Sequence, residues 1–197
     1  MNAKLTVDPK TSALLVMDFQ TAVVEMIATE KDGLLARTAH VIDAARKAGM
    51  KIVYVVVAFR PGYPEVSPRH PSFGPIRETG RFIEGSAGTE VHAAVAPKPG
   101  DVTITKHRVS AFAGTDLDMI LRSNGIDTLV LAGIATSGVV LSTVRHASDA
   151  DYRLVVVEDC CADRDAEVHR VLTEKVFARQ TTVVKSEAVV GALGAAG

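Results

Sequence analysis

The chain has 197 residues, 47% hydrophobic, 23% charged and 5% aromatic, with no tryptophan and a formal net charge of −1. That length suits a single domain spanning 1–197, which would bury roughly 70% of the surface its unfolded chain exposes. A near-neutral balance supplies no field for gathering phosphates or an anionic membrane, so the expected partner is a small-molecule substrate, with no nucleic acid and no membrane.

The run 13–17 is apolar, strand-sized and closed by Asp18, too short for the core of a secretory signal. No stretch approaches the roughly 20 apolar residues that cross a bilayer. A helix is expected over 33–48, where Leu34, Leu35, Val41, Ile42 and Ala45 share one face and Gly49 supplies a stop. A strand follows at 51–57. The segment 58–98 breaks the pattern: it is rich in proline, and 60–74 reads as an irregular excursion of the kind that forms a lid, a binding loop or an oligomer contact. A short helix is expected near 90–94.

Strands are then expected at 102–105, 128–132, 153–157 and 181–184, and amphipathic helices at 115–124, 137–150 and 165–179. The tail from Gly191 onward is expected to fray. Most of the strands are apolar without alternation, as in parallel sheets covered on both faces. Their alternation with helices means right-handed crossovers, hence an α/β fold with a doubly wound sheet. Cys160 and Cys161 are neighbours and too strained to bridge. With no disulfide framework, a reducing compartment is expected, and the cytoplasm is the default.

Ligands of open parallel sheets bind beyond the carboxyl ends of the strands. That rule selects Asp18-Phe19-Gln20, Lys106, the turn from Gly133 to Ser137, and Glu158-Asp159. Burial at the end of an apolar strand raises the pKa of Asp18, while a nearby Lys106 ammonium favours the carboxylate. Such a pair serves as a general acid/base, although a structural ion pair has the same appearance in a sequence.

The segments ALLVMDFQ (13–20), KHRVSAF (106–112) and TLVLAGIATSGVVLSTVRHASDADYRLVVVEDCCAD (128–163), with His169 downstream, together resemble the isochorismatase-like hydrolase superfamily. The resemblance covers the chain from the first strand to about Val184. It implies a Rossmann-like three-layer α/β/α fold with a six-stranded, mainly parallel sheet. It also implies catalytic roles for Asp18 and Lys106 and a cis peptide at Ile134–Ala135. Around the pocket, Phe19, Gln20, Ile134, Ala135, Thr136 and Ser137 would bind substrate, with backbone N–H groups aimed at a substrate oxygen.

One position departs from the family pattern. Where the cysteine hydrolases carry their nucleophile, counting from Gly133 and Thr136, this chain has Val139. Valine neither attacks a carbonyl nor carries a proton, so thiolate chemistry has no group at that position. Ser137 and Ser142 flank the turn, but no base adjoins them, and a serine at a helix start is more often an N-cap. Cys160 and Cys161 read better as small buried hydrophobes than as stand-ins. The economical alternative needs no nucleophilic side chain: in isochorismatase itself an aspartic acid protonates a vinyl ether and water completes the cleavage.

No metal and no cofactor are expected. The histidines at 40, 70, 92, 107, 146 and 169 show no ligand spacing, and 133–138 lacks the spacings of dinucleotide and phosphate loops. His107 and Arg108 stand near enough to Lys106 to line a pocket mouth. In the 60–73 loop, Arg60, Tyr63, Arg69 and Phe73 would either close over a substrate or form a structural arm. The leading expectation is a hydrolase of small metabolites using Asp18 with Lys106. The alternative is a non-catalytic relative kept for ligand binding or assembly, recognisable if Phe19 or Phe112 fills the pocket. A homodimer or homotetramer is expected from the resemblance.

Overall fold

A computed structural model of the chain describes residues 5–27 and 30–195. Six strands form one sheet: β1 (Ser12–Met17), β2 (Lys51–Val57), β3 (Val102–Lys106), β4 (Thr128–Ile134), β5 (Arg153–Ala162) and β6 (Thr182–Val184). Their order is β3-β2-β1-β4-β5-β6, and every pairing is parallel. The sheet therefore starts at its centre and winds outward first one way and then the other. The reversal falls between β1 and β4, where the carboxyl ends diverge into a crevice.

Alternation along the strands supplies two cores. Leu14, Val16, Ile52, Tyr54, Val130 and Ala132 face one side, where they meet Leu35, Val41 and Ile42 of helix α2 (Lys31–Lys47). Ala13, Leu15, Met17, Val53, Leu129 and Leu131 face the other. There they meet Leu117 and Leu121 of α4 (Leu117–Ser123) and Val144 and Ala147 of α5 (Leu141–Asp149). All residues of β1 and β4 are buried, which is why neither shows a polar alternation in sequence.

Several elements differ from the sequence expectations. Three short helices have no clear periodic signal: α1 (Thr21–Met26), α3 (Gly74–Thr79) and α7 (Ser186–Gly194). The helix expected near 90–94 is a single 3-10 turn at Ala93–Val95. The one expected over 165–179 is built of α6 (Ala166–Val171), a wider π turn (Leu172–Val176) and a 3-10 turn (Phe177–Arg179). β5 continues well past Val157, because a register slip between Leu131 and Gly133 of β4 lets it absorb Glu158 and Asp159 and resume pairing at Cys161.

The slip has a use. Asp159 accepts the backbone N–H of Ser186 at 2.7 Å and its hydroxyl at 2.8 Å, capping α7 from another element, while Arg37 Nε donates to the Asp159 carbonyl at 2.8 Å. So the expectation of a frayed tail fails through Gly194: Val189 and Leu193 of α7 are buried in the α2-side core. Ala196 and Gly197 lie outside the described residues. Among the described residues no helix is long and apolar enough to cross a membrane.

Because Leu193 is only 3% exposed, Leu193→Ala should cost about 2–5 kcal/mol. A urea titration should show a lower midpoint with an unchanged slope; a midpoint equal to wild type would mean that α7 adds nothing to the core.

Candidate active site

Asp18 follows the last residue of β1 and Lys106 is the last residue of β3, so β2 lies between the two strands that carry them. Their side chains nevertheless meet: Lys106 Nζ lies 2.9 Å from Asp18 Oδ2, with the side chains 3% and 8% exposed. Lys106 Nζ also donates to the Arg108 carbonyl at 3.2 Å. The other carboxylate oxygen, Asp18 Oδ1, is buried without a hydrogen-bond partner. Burial pushes the Asp18 pKa up, and the Lys106 ammonium opposes part of that shift. The Asp18 backbone has φ 56°, an uncommon conformation for a non-glycine residue, and its N–H is held by the Val55 carbonyl at 2.8 Å.

The pair opens into a cavity of about 400 Å³ beyond the carboxyl ends of β1–β4. Ala135, Ser137, Gly138 and Val139 from the turn after β4 line it, and Val57, Phe73, Ile76 and Phe82 contribute apolar surface. The Ile134–Ala135 peptide is cis, as the resemblance implies. A close approach lets the turn sit there: a Cβ at Gly133 would come within 3.0 Å of Val140 and 3.1 Å of Met17. Val139 itself is 2% exposed and joins the α5-side core as well as the cavity wall.

Of the expected substrate-binding residues, only Ala135 and Ser137 line this cavity. Phe19 and Ile134 are core residues on the α2 side. Gln20 is fully buried and serves the backbone instead: its amide nitrogen donates to the Val57 and Thr89 carbonyls, both at 2.9 Å, and its oxygen accepts the Val57 N–H at 2.8 Å. It ties α1 to the end of β2. Thr136 is buried, with its hydroxyl 2.8 Å from His169 Nδ1. Burial lowers the pKa of His169, while Glu158 and Asp163 pull it the other way.

Ser137 does not act as an N-cap through its hydroxyl; its backbone N–H donates to Asp163 Oδ2 at 2.7 Å. The turn is thus gripped twice by the segment that follows β5. Neither cysteine lines the cavity. Cys161 is buried with its sulfur against the Leu131 carbonyl, and burial drives the Cys160 thiol up to about 12 and that of Cys161 higher still.

His107 and Arg108 brace the neighbouring loop rather than line the cavity. The His107 ring packs near Phe59 and its Nδ1 lies 2.6 Å from the Ala58 carbonyl, while Arg108 donates to the Glu65 carbonyl at 3.0 Å. Within the loop, structural contacts stand beside one residue that lines the cavity. Arg60 pairs with Glu65 at 2.7 Å and Tyr63 donates to the Arg81 carbonyl at 2.9 Å, while Phe73 faces the cavity. Phe19 and Phe112 leave the cavity open; Phe112 stacks on His146 instead.

Sequence reasoning missed Asp163, Arg164 and Met26, which also line the cavity. The run Asp163-Arg164-Asp165 lies just past β5 and was open to the same strand-end rule, had β5 been carried to Ala162.

A family model described as Isochorismatase domain matches residues 12–188. YwoC of Bacillus subtilis (strain 168), an uncharacterized isochorismatase family protein, is 31% identical over 181 residues, covering 89% of this chain and 90% of that protein. Ureidoacrylate amidohydrolase RutB of Methylobacterium radiotolerans is 31% identical over 188 residues, covering 84% of this chain and 73% of that protein. Among solved structures, N-carbamoylsarcosine amidase from Thermoplasma acidophilum superposes with a TM-score of 0.72 at 33% identity, over 90% of this chain and 97% of that one. With a matching domain model across most of its length, a six-stranded parallel sheet and a strand-end pocket, the chain belongs to the isochorismatase family of hydrolases.

Proposed function

We propose that the protein hydrolyses a small metabolite by water-mediated cleavage, with Asp18 as general acid/base, Lys106 as its electrostatic partner and no cysteine nucleophile. One observation carries the reading: a buried carboxyl with a free oxygen, paired to an ammonium at 2.9 Å, in a cavity where Val139 stands at the nucleophile-equivalent position. A raised pKa keeps part of Asp18 protonated where an ordinary carboxyl is ionised, so it can deliver a proton.

For a vinyl ether the steps balance. Asp18 gives its proton to the terminal carbon, the double bond is consumed, and positive charge develops on the oxygen-bearing carbon. Lys106 stabilises the carboxylate left behind. Water adds to the cationic carbon and returns a proton to Asp18, and the hemiketal separates into a carbonyl compound and an alcohol. Val139 provides an apolar wall.

Relatives named amidohydrolase and amidase favour C–N cleavage as a second reading. An amide's poor leaving group normally calls for a nucleophile that Val139 does not supply. The open cavity supports catalysis over the alternative of a non-catalytic binding protein, since neither phenylalanine fills it.

In a panel of vinyl ethers, esters and amides, Asp18→Asn should lower kcat on the accepted substrate by about 10²- to 10⁴-fold; an unchanged kcat refutes the mechanism. The sign of the pH dependence follows from the protonated form being active: kcat should fall as pH rises through the raised Asp18 pKa. Because Lys106 lowers that pKa, Lys106→Gln should move the descending limb to higher pH in a kcat–pH profile. Finally, Val139→Cys should make residue 139 the fastest iodoacetamide target in the chain and confer amidase activity. A slow-reacting thiol with no amide turnover would show that the surrounding groups do not support thiolate chemistry.

A further inference from the structure

Thr136 does not line the cavity, although Ala135 and Ser137 on either side of it do. Its side chain is buried, so its hydroxyl needs a partner within the protein, and it finds one on another element: His169 Nδ1, 2.8 Å away. The backbone of His169 is fixed in turn. Asp165 caps α6 by accepting the N–H groups of Glu167 and Val168 at 2.8 and 3.3 Å. The His169 N–H donates to the Asp165 carbonyl at 3.0 Å, and Thr173 donates its hydroxyl to the His169 carbonyl at 2.9 Å.

The direction of the Thr136–His169 bond follows from what each group can offer. A threonine hydroxyl brings a hydrogen that must go to an acceptor, and a neutral imidazole presents one bare nitrogen. With the ring proton on Nε2, Nδ1 takes the Thr136 hydrogen. With it on Nδ1, Thr136 could only accept, and its own hydrogen would be left in the interior without a partner. Protonation of the ring creates that same conflict, because both nitrogens of an imidazolium are donors. Burial keeps the His169 pKa below the ordinary histidine value against the opposing pull of Glu158 and Asp163, so the neutral ring prevails around neutrality. The turn 136–140 brings no charge of its own. On the ring's own helix, Asp165 is engaged as the cap and Glu167 pairs with Arg170 at 2.7 Å.

We propose that neutral His169 is a positioning residue for the cavity: its Nδ1 accepts the Thr136 hydroxyl, which sets the backbone from Ala135 to Ser137, and protonation of the ring reverses that bond and releases the turn. The consequence for turnover rests on the reading that this cavity is the reaction site, whereas the coupling between ring and turn does not.

The test is an NMR titration of the 15N-labelled protein from about pH 8 to about pH 4, reading the His169 ring nitrogens and the amides of Ala135, Ser137 and Gly138. At the alkaline end Nε2 should be protonated and Nδ1 bare, and the three amides should shift with the midpoint of the ring. The Gly138 amide, bonded to the Ala135 carbonyl at 3.1 Å, should lose about tenfold of its hydrogen-exchange protection below that midpoint. Thr136→Val removes the hydrogen that favours the neutral ring, so the His169 midpoint should rise by about one pH unit, a roughly tenfold change in proton affinity. Thr136→Ser should restore the wild-type midpoint, and in His169→Asn the amides should stay flat over the same interval. Asp18→Asn should keep the coupling, so a failure of the proposed acid/base chemistry would leave this result standing. A proton on Nδ1 at the alkaline end, amides that ignore the ring, or an unmoved midpoint in folded Thr136→Val overturns the proposal. Should Thr136→Val fail to fold, the wild-type tautomer and the shared midpoint still decide it.

Discussion

The buried contact between Asp18 and Lys106 is the constraint around which the rest of the molecule is organised. Each ion loses several kcal/mol of hydration on burial, and their attraction offsets this only at close range. The sheet meets that demand by geometry. β1 and β3 flank β2, so the two side chains must reach across the end of the intervening strand. Gln20 pins that end by holding both the N–H and the carbonyl of Val57. The pair spends one carboxylate oxygen on the ammonium and leaves the other buried without a hydrogen-bond partner, on a residue that helps to line the cavity. Incomplete compensation leaves the Asp18 pKa raised.

Much of this was legible in the chain. The strands stood out because burial on both faces leaves no polar alternation, and the strand-end rule brought Asp18, Lys106 and the turn after β4 together from their positions alone. What escaped notice has physical reasons. α1 and α3 are too short to display a helical period, and α7 contains Gly191 and Gly194, which read as a fraying tail. Gln20 sits two residues from Asp18 in sequence, yet nothing in its spacing tells that its amide turns inward to the backbone. Polar Glu158 and Asp159 read as the end of a strand, whereas they occupy a slip within one.

The valine at 139 is compatible with everything around it. Its neighbours Val140 and Val144 are buried on the same side of the sheet, so a branched aliphatic residue packs there without a polar atom to satisfy. An aliphatic side chain there coexists with the contact between Asp18 and Lys106. The cavity therefore combines a buried ion pair with an aliphatic residue at 139 that belongs to the α5-side core.

The end of β5 has a wider reach than its place near the sheet edge suggests. Within a few residues, Asp159 caps an outer helix and Asp163 grips the turn at Ser137, with His169 a little farther on holding Thr136. The turn after β4 is thus suspended from the segment that follows a neighbouring strand. Such suspension puts the load of the turn on Asp163 and His169, so a substitution at either would slacken Ser137 or Thr136 without touching the turn's own sequence.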